Sequence, residues 1–517
     1  MTDEESVFYA LHPLTILSLG IFLSSSTAER GPPSPLEKDF IPAFTPPQKC
    51  ISHFMYPIVI SPSAIVAKER MISKMEQSIP KRILVSLMNA LAAGVVPRAG
   101  APYIAIGRKE ETESLLTDLE SVADGGSALR FLVGRYGSGK SFLLQLIRGY
   151  ALENGFVTCD ADLSPERRLS AANGNGVATY RELIKNMSCK TSADGGALPV
   201  LISKWLSSKQ AELAAKGEDP ESALFALKMQ SEIYAVTEEL EDKVGGFDFA
   251  TVINKYYQAL RDGNDNLRSA CVRWLRGEYL TKTEAKRDLG TQGIINDDNW
   301  YDYLKLLAAF VTKLGYKGLM VYIDECVNLY KITNRVSREN NYEKLLSIFN
   351  DTLQGKAPNL GFVFVGTPQF LEDTRRGLFS YEALRSRLAD SVLINGEFKN
   401  LAGPVIRLVR LTDSELFALI TRLNRLYSEC YSYKIPLDTE QMKAFLTLCL
   451  GKAGSDVMIT PREIIRSYIS LLHILRQNPE ARFETVISGI EEALKPMVQT
   501  DPDGAEPQNA DLADFEL

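Results

Sequence analysis

Apolar runs of strand length and apolar stripes of helical spacing alternate along this chain in an order that predicts a parallel sheet. The first clear stripe is "IPKRILVSLMNALAAGVVPR", with apolar residues at helical spacing from Ile83 to Leu91 until Gly94 and then Pro97 stop the helix. "APYIAIGRKEETESLLTDLE" adds a short strand-like run, a turn at Gly107 and a helix opened by acidic residues, which suit its positive N-terminal dipole. A β-rich run from Ala128 to Val133 comes next. It leads through a glycine-rich turn into a helix starting near Lys140, and then into a second strand candidate, "GFVTCDADL", from Gly155 to Leu163. That order is βαβ, whose helical crossover makes the two strands parallel. Residues 164–299 are mostly helix-patterned, clearest in "ALPVLISKWLSSKQAELAAKG" and "NLRSACVRWLRGEYL", and predict a helical insertion between strands. "KGLMVYIDE" (Lys317 to Glu325) and "NLGFVFVGTP" (Asn359 to Pro368) are continuous apolar runs, as strands buried on both faces should be. "PVIRLVRL" (Pro404 to Leu411) predicts a fifth strand. Thr412 with Glu415 then forms a capping box, and the pattern stays helical to about Leu494.

Both ends differ in texture. Six prolines between Ser24 and Lys49 prevent any periodic apolar face, so residues 1–78 predict a Pro-rich, partly disordered extension. Its apolar run, Leu14 to Leu23, follows "MTDEES", which is acidic where a secretory leader is basic, and it is too short to span a bilayer. It is expected to be buried or untranslated, with Met55 and Met71 as alternative starts, and a targeting segment is the lesser alternative. Residues 496–517 carry six acids and neither Lys nor Arg, which predicts a disordered acidic tail. No internal repeat is evident.

Composition narrows the function classes. A 45% apolar content over 517 residues supports a large core. The net charge of −7 leaves no global basic footprint for nucleic acid, so any DNA contact has to be local; the basic residues of "RLVRL" and "KRILVSLMNALAAGVVPR" read more simply as solvated helix faces. Seven cysteines without a C-x-x-C pair argue against a disulfide framework or a structural zinc, and fit a reducing cytoplasm. Three dispersed histidines leave little for imidazole chemistry.

The glycine-rich turn carries the chemistry. Gly134, Arg135, Tyr136, Gly137, Ser138, Gly139, Lys140 and Ser141 satisfy G-x-x-x-x-G-K-[ST] between a strand and a helix, the context such a pattern needs to cradle phosphates. Backbone N–H groups and the helix dipole face the anion, Lys140 suits the β and γ oxygens, and Ser141 suits magnesium. Hydrolysis needs more than a phosphate loop. "LMVYIDE" ends another buried strand in Asp324, fit to hold the metal, and Glu325, fit to orient and deprotonate water. The plainer alternative makes this pair helix N-terminal acids. Thr367 in "VGTP" stands beside the γ-phosphate if its strand neighbours the others, or else simply forms a Thr-Pro turn. Arg385, Arg387, Arg462 and Arg466 are arginines of the kind that pair two phosphate oxygens, or solvated surface residues.

The phosphate loop, "YIDE", "VGTP", "LRSRL" and a late "TPRE" occur in the order of the AAA+ ATPases of the ORC/Cdc6-like type. More narrowly, "AAGVVPRAG" leading into "IGRKEE", then "CDADLSPERRL", "WLRGE", "GYKGLMVYIDE" and "RQNPEARF" resemble the BREX-type ATP-binding proteins of bacterial phage-defence islands, over about Ile79 to Glu484. The resemblance implies an α/β fold: a P-loop AAA+ parallel sheet with helices on both faces (79–400), a helical insertion at about 164–299 and a C-terminal helical lid (401–495). It implies ATP and Mg2+ as cofactors, with Gly134 to Ser141 as Walker A and Asp324 with Glu325 as Walker B. Thr367 becomes sensor 1, where many relatives carry Asn, and Arg462 sensor 2. Arg387 or Arg385 becomes a finger offered to a neighbouring subunit, while Ile106 and Gly107 border adenine. The function implied is an ATPase motor or switch of an antiphage defence assembly that engages foreign DNA, self-associating or bound to other defence proteins and cytoplasmic. An ATP-gated scaffold with little hydrolysis, a DNA-loading ATPase and a helicase are the competing readings; "IDEC" is not a helicase box.

Overall fold

The computed structural model describes residues 79–171, 174–220, 222–241, 245–390, 400–451 and 460–493. The Pro-rich extension and the acidic tail expected at 1–78 and 496–517 lie outside them. The described chain opens with α1 (Lys81–Ala92) and α2 (Lys109–Ala123), then β1 (Ser127–Gly134), α3 (Lys140–Glu153) and β2 (Val157–Asp162). Seven helices lead to the next strand: α4 (Asn175–Lys185), α5 (Ala197–Ala215), α6 (Ala223–Glu241), α7 (Gly246–Arg261), α8 (Asp265–Leu275), α9 (Lys282–Leu289) and α10 (Trp300–Lys313). After β3 (Leu319–Asp324) come α11 (Val327–Tyr330), α12 (Arg335–Leu353) and β4 (Leu360–Gly366), then α13 (Pro368–Glu372), α14 (Glu382–Leu388) and β5 (Val405–Leu408). Four helices follow, α15 (Asp413–Tyr431), α16 (Thr439–Gly451), α17 (Pro461–Gln477) and α18 (Phe483–Ala493).

The five strands form one parallel sheet in the order β2-β3-β4-β1-β5. Parallel sheets are covered on both faces, and the alternation along β1 shows how. Phe131 and Val133 enter a core with Phe362 and Phe364 of β4, with Trp300 and Leu304 of α10 and with Leu201 of α5. Leu132 points the other way, into a second core with Leu115 and Leu119 of α2 and Leu143 and Ile147 of α3. A third core belongs to the last helices, where Leu423 and Leu426 of α15 and Tyr468 and Leu472 of α17 surround Leu84, Leu87 and Met88 of α1. The first described helix therefore packs on the last ones.

One local expectation fails. The strand-like run in "APYIAIG" is a 3-10 turn, Ala101–Ile104, because Pro102 cannot donate to a ladder and no strand lies beside it. Among the described residues no helix is long and apolar enough to cross a membrane.

Candidate functional site

Parallel strands gather their C-terminal ends at one edge, and the predicted residues cluster there because their strands are neighbours. β4 lies between β1 and β3, with Val133 opposite Gly366 and Ile323 opposite Phe364. The glycine-rich loop leaves β1 at Gly134 and enters α3 through Gly139, whose φ is 88°. Gly137, at φ 75°, sits so close to the start of α17 that a Cβ there would lie 2.5 Å from Thr460 Cγ2, which only glycine avoids. The N-terminus of α3 points its unpaired N–H groups and positive dipole end into this loop. Lys140 bends back over it, donating from Nζ to the carbonyls of Gly134 at 2.8 Å and Arg135 at 3.0 Å. Burial lowers its pKa, against the pull of Asp324 and Glu325. Arg135 and Tyr136 face solvent, whereas Ser138 is buried.

The acidic end of β3 meets the loop directly. Ser141 Oγ donates to Asp324 Oδ2 at 2.9 Å, and the other carboxylate oxygen accepts the Glu325 N–H at 2.7 Å. Glu325 has a φ of 57°, a left-handed backbone that a non-glycine residue seldom adopts, after which Cys326 N–H donates to Val365 O of β4. The Glu325 carboxyl pKa is raised, first by desolvation and then by Asp324 and Asp162, with Lys140 and Lys331 opposing. Ser141 and Asp324 could hold a hard cation that takes its other oxygens from phosphate and water. Among the described residues no three His, Cys, Asp or Glu side chains converge on a metal.

A model of the BREX system ATP-binding protein BrxC/D family matches residues 79–491. The chain belongs to this family. No curated protein matches it. An ATP-binding role in the BREX system therefore accompanies the glycine-rich loop, on a parallel sheet consistent with a P-loop fold.

The remaining predicted residues of this BREX-family chain are less concentrated. Thr367 directly follows β4 between the loop and the acidic pair, and its hydroxyl caps α13 by accepting the Phe370 N–H at 3.4 Å. Ile106 packs with the C-terminal helices. Gly107, at φ 72°, lies against α15, where a Cβ would stand 2.6 Å from Glu415 Oε1. Arg462, in the first turn of α17, lays its aliphatic stem along Gly94. Arg385 and Arg387 are exposed on α14, the first 3.9 Å from Glu382 and the second donating to Ala383 O at 2.7 Å.

Two residues escaped the sequence reading. Asp162 ends β2 opposite Asp324, and its pKa is raised by desolvation, then by Asp324 and Asp160; its one signal was an acid ending an apolar run. Arg108 is buried beside the loop, donating to Ser138 O at 2.9 Å. Nothing local separates it from any arginine that precedes a helix.

Proposed function

We propose that this BREX-family chain is a magnesium-dependent ATPase of the AAA+ type, working as the motor or switch of a defence assembly that engages foreign DNA. The observation that carries the reading is the hydrogen bond from Ser141 to Asp324, with Glu325 next in sequence. The loop serine and the strand-end aspartate are the two donors a magnesium ion needs from the protein in such a site, and a carboxylate beside them can act on water. When bound, magnesium neutralises the developing phosphate charge. The chain supplies the rest. Lys140 exchanges its two loop carbonyls for the β and γ oxygens, the loop N–H groups hold the phosphates, and Glu325 orients the attacking water and accepts its proton.

Thr367 extends toward the γ-phosphate as a polar sensor, and Arg462 approaches from the C-terminal helices, which act as a lid. Arg387 or Arg385, exposed on α14, serves a neighbouring subunit. The helices between β2 and β3 offer the partner surface, and the buried cysteines of the described residues, none of them in a disulfide, suit a reducing cytoplasm.

The test is phosphate release by the purified protein with ATP and Mg2+, beside Glu325→Gln, with and without double-stranded DNA. Turnover is expected to fall by about 10²- to 10⁴-fold in the variant while ATP binding is retained. Wild-type rates in Glu325→Gln would reduce Glu325 to a structural acid, and binding without turnover under every condition would leave an ATP-gated scaffold.

A further inference from the structure

One buried guanidinium ties together three segments that meet at the glycine-rich loop. Arg108, 5% exposed, donates from Nη2 to Ser138 O at 2.9 Å and to Val409 O at 2.5 Å, and its Nη1 lies 3.7 Å from Glu111. Ser138 belongs to the loop. Val409 immediately follows β5 and begins the connection to α15, and Arg108 itself precedes α2.

The geometry follows from what a phosphate cradle requires. A loop that turns its N–H groups inward on an anion turns carbonyls outward, and a carbonyl aimed into a dry space needs a donor. Both bonds leave Nη2, whose two N–H groups lie in the rigid guanidinium plane and so hold the two carbonyls at a fixed separation while the side chain keeps its charge. Burial lowers its pKa while Glu111 and Glu415 oppose the shift. Two close contacts tighten the same junction, Gly107 on Glu415 and Gly137 on Thr460, so that both α15 and α17 begin against the loop or the segment preceding Arg108.

Resting on the reading that the loop holds ATP, we propose that Arg108 is a positioning residue. It fixes the loop through Ser138 and couples the loop's occupancy to the C-terminal helices through Val409. Its place is behind the loop, on the carbonyl side, so it acts on the phosphates only through the loop backbone.

Amide hydrogen exchange with and without ATP and Mg2+ tests this, in wild type, Arg108→Met and Arg108→Lys. In the wild type, ATP is expected to slow exchange in 134–141 and in the first turns of α15 and α17. In Arg108→Met, ATP affinity should fall about tenfold or more. With the loop then saturated and protected, the response of α15 and α17 should be lost. Arg108→Lys, which keeps the charge and a single donor group, should show a partial response and carries the test if Arg108→Met does not fold. A purely structural arginine would lower stability equally with and without ATP and leave the helix response intact; an undiminished response in both variants, or in Arg108→Lys alone if only it folds, overturns the proposal. If ATP fails to protect 134–141 in the wild type, the nucleotide reading itself falls, and this inference with it.

Discussion

Glu325 combines a left-handed backbone with a carboxyl held above its ordinary pKa, and both features cost stability. Backbone strain of this kind is on the order of 1–3 kcal/mol and persists where the surroundings over-determine it. The hydrogen bonds of Asp324 to Ser141 and to the Glu325 N–H, and of Cys326 N–H to Val365, provide that constraint. Because the folded-state pKa is raised, the native protein binds this proton more tightly than the unfolded chain does. The proton's stabilising effect is therefore present at low pH and lost as pH rises through the folded value. Glu325→Gln is expected to melt at a higher temperature than the wild type at pH 7, with the gap closing toward pH 4. Equal melting temperatures throughout would mean that the carboxylate is not strained by its neighbours. At this scale the sequence was most legible where chemistry is linear in the chain. Gly134 to Ser141 and the Asp324–Glu325 pair can be read from spacing, since each is one strand end and the turn after it. Arg108 and Asp162 could not be, because each matters through residues distant in sequence, Ser138 and Val409 for the first and Asp324 for the second.

Two capping boxes separate what an element does for itself from what it does for the site. Thr412 opens α15 with Glu415, and Thr460 opens α17 with Glu463, each threonine accepting the N3 amide while the glutamate returns to the cap N–H. Thr412→Ala and Thr460→Ala should each lower stability by about 1 kcal/mol, measured by denaturant unfolding. The Thr460 methyl also lies against the position that a Gly137 Cβ would take, so Thr460→Ala should additionally change ATP affinity and Thr412→Ala should not. Equal affinity in the two variants would show that the loop does not depend on the start of α17. The strands were readable at this scale because burial on both faces leaves uninterrupted apolar runs, and the Thr412 box because its pattern spans four residues. The 3-10 turn at Ala101–Ile104 was not, since a short apolar run carries no sign of whether a strand waits beside it. Nor was the destination of α1: its stripe says that one face is buried, but not that α15 and α17 bury it.

At the scale of the molecule, the site's polar groups come from segments as far apart as Arg108 and Thr460, and among the described residues the exposed Arg385 and Arg387 of α14 meet Glu382 and the Ala383 carbonyl of their own helix. If Arg387 or Arg385 completes a neighbour's site, specific ATPase activity should rise with protein concentration across the assembly range. One of Arg387→Ala and Arg385→Ala should then abolish that rise, with a loss of about 10³-fold or more at full assembly. Concentration-independent specific activity would confine catalysis to a single chain.

By itself, the sequence determined the class of fold, the loop and the acidic pair, and through its ordered motifs the family, because periodicity, glycine placement and strand-end acids are local properties of a chain. Only the tertiary structure decided that β4 enters between β1 and β3, bringing Thr367 between the loop and Asp324. It also decided that α1 joins the last helices and that Arg108 stands behind Ser138. Those outcomes depend on which buried faces meet and which carbonyls are left needing a donor, and both are settled by packing across hundreds of residues.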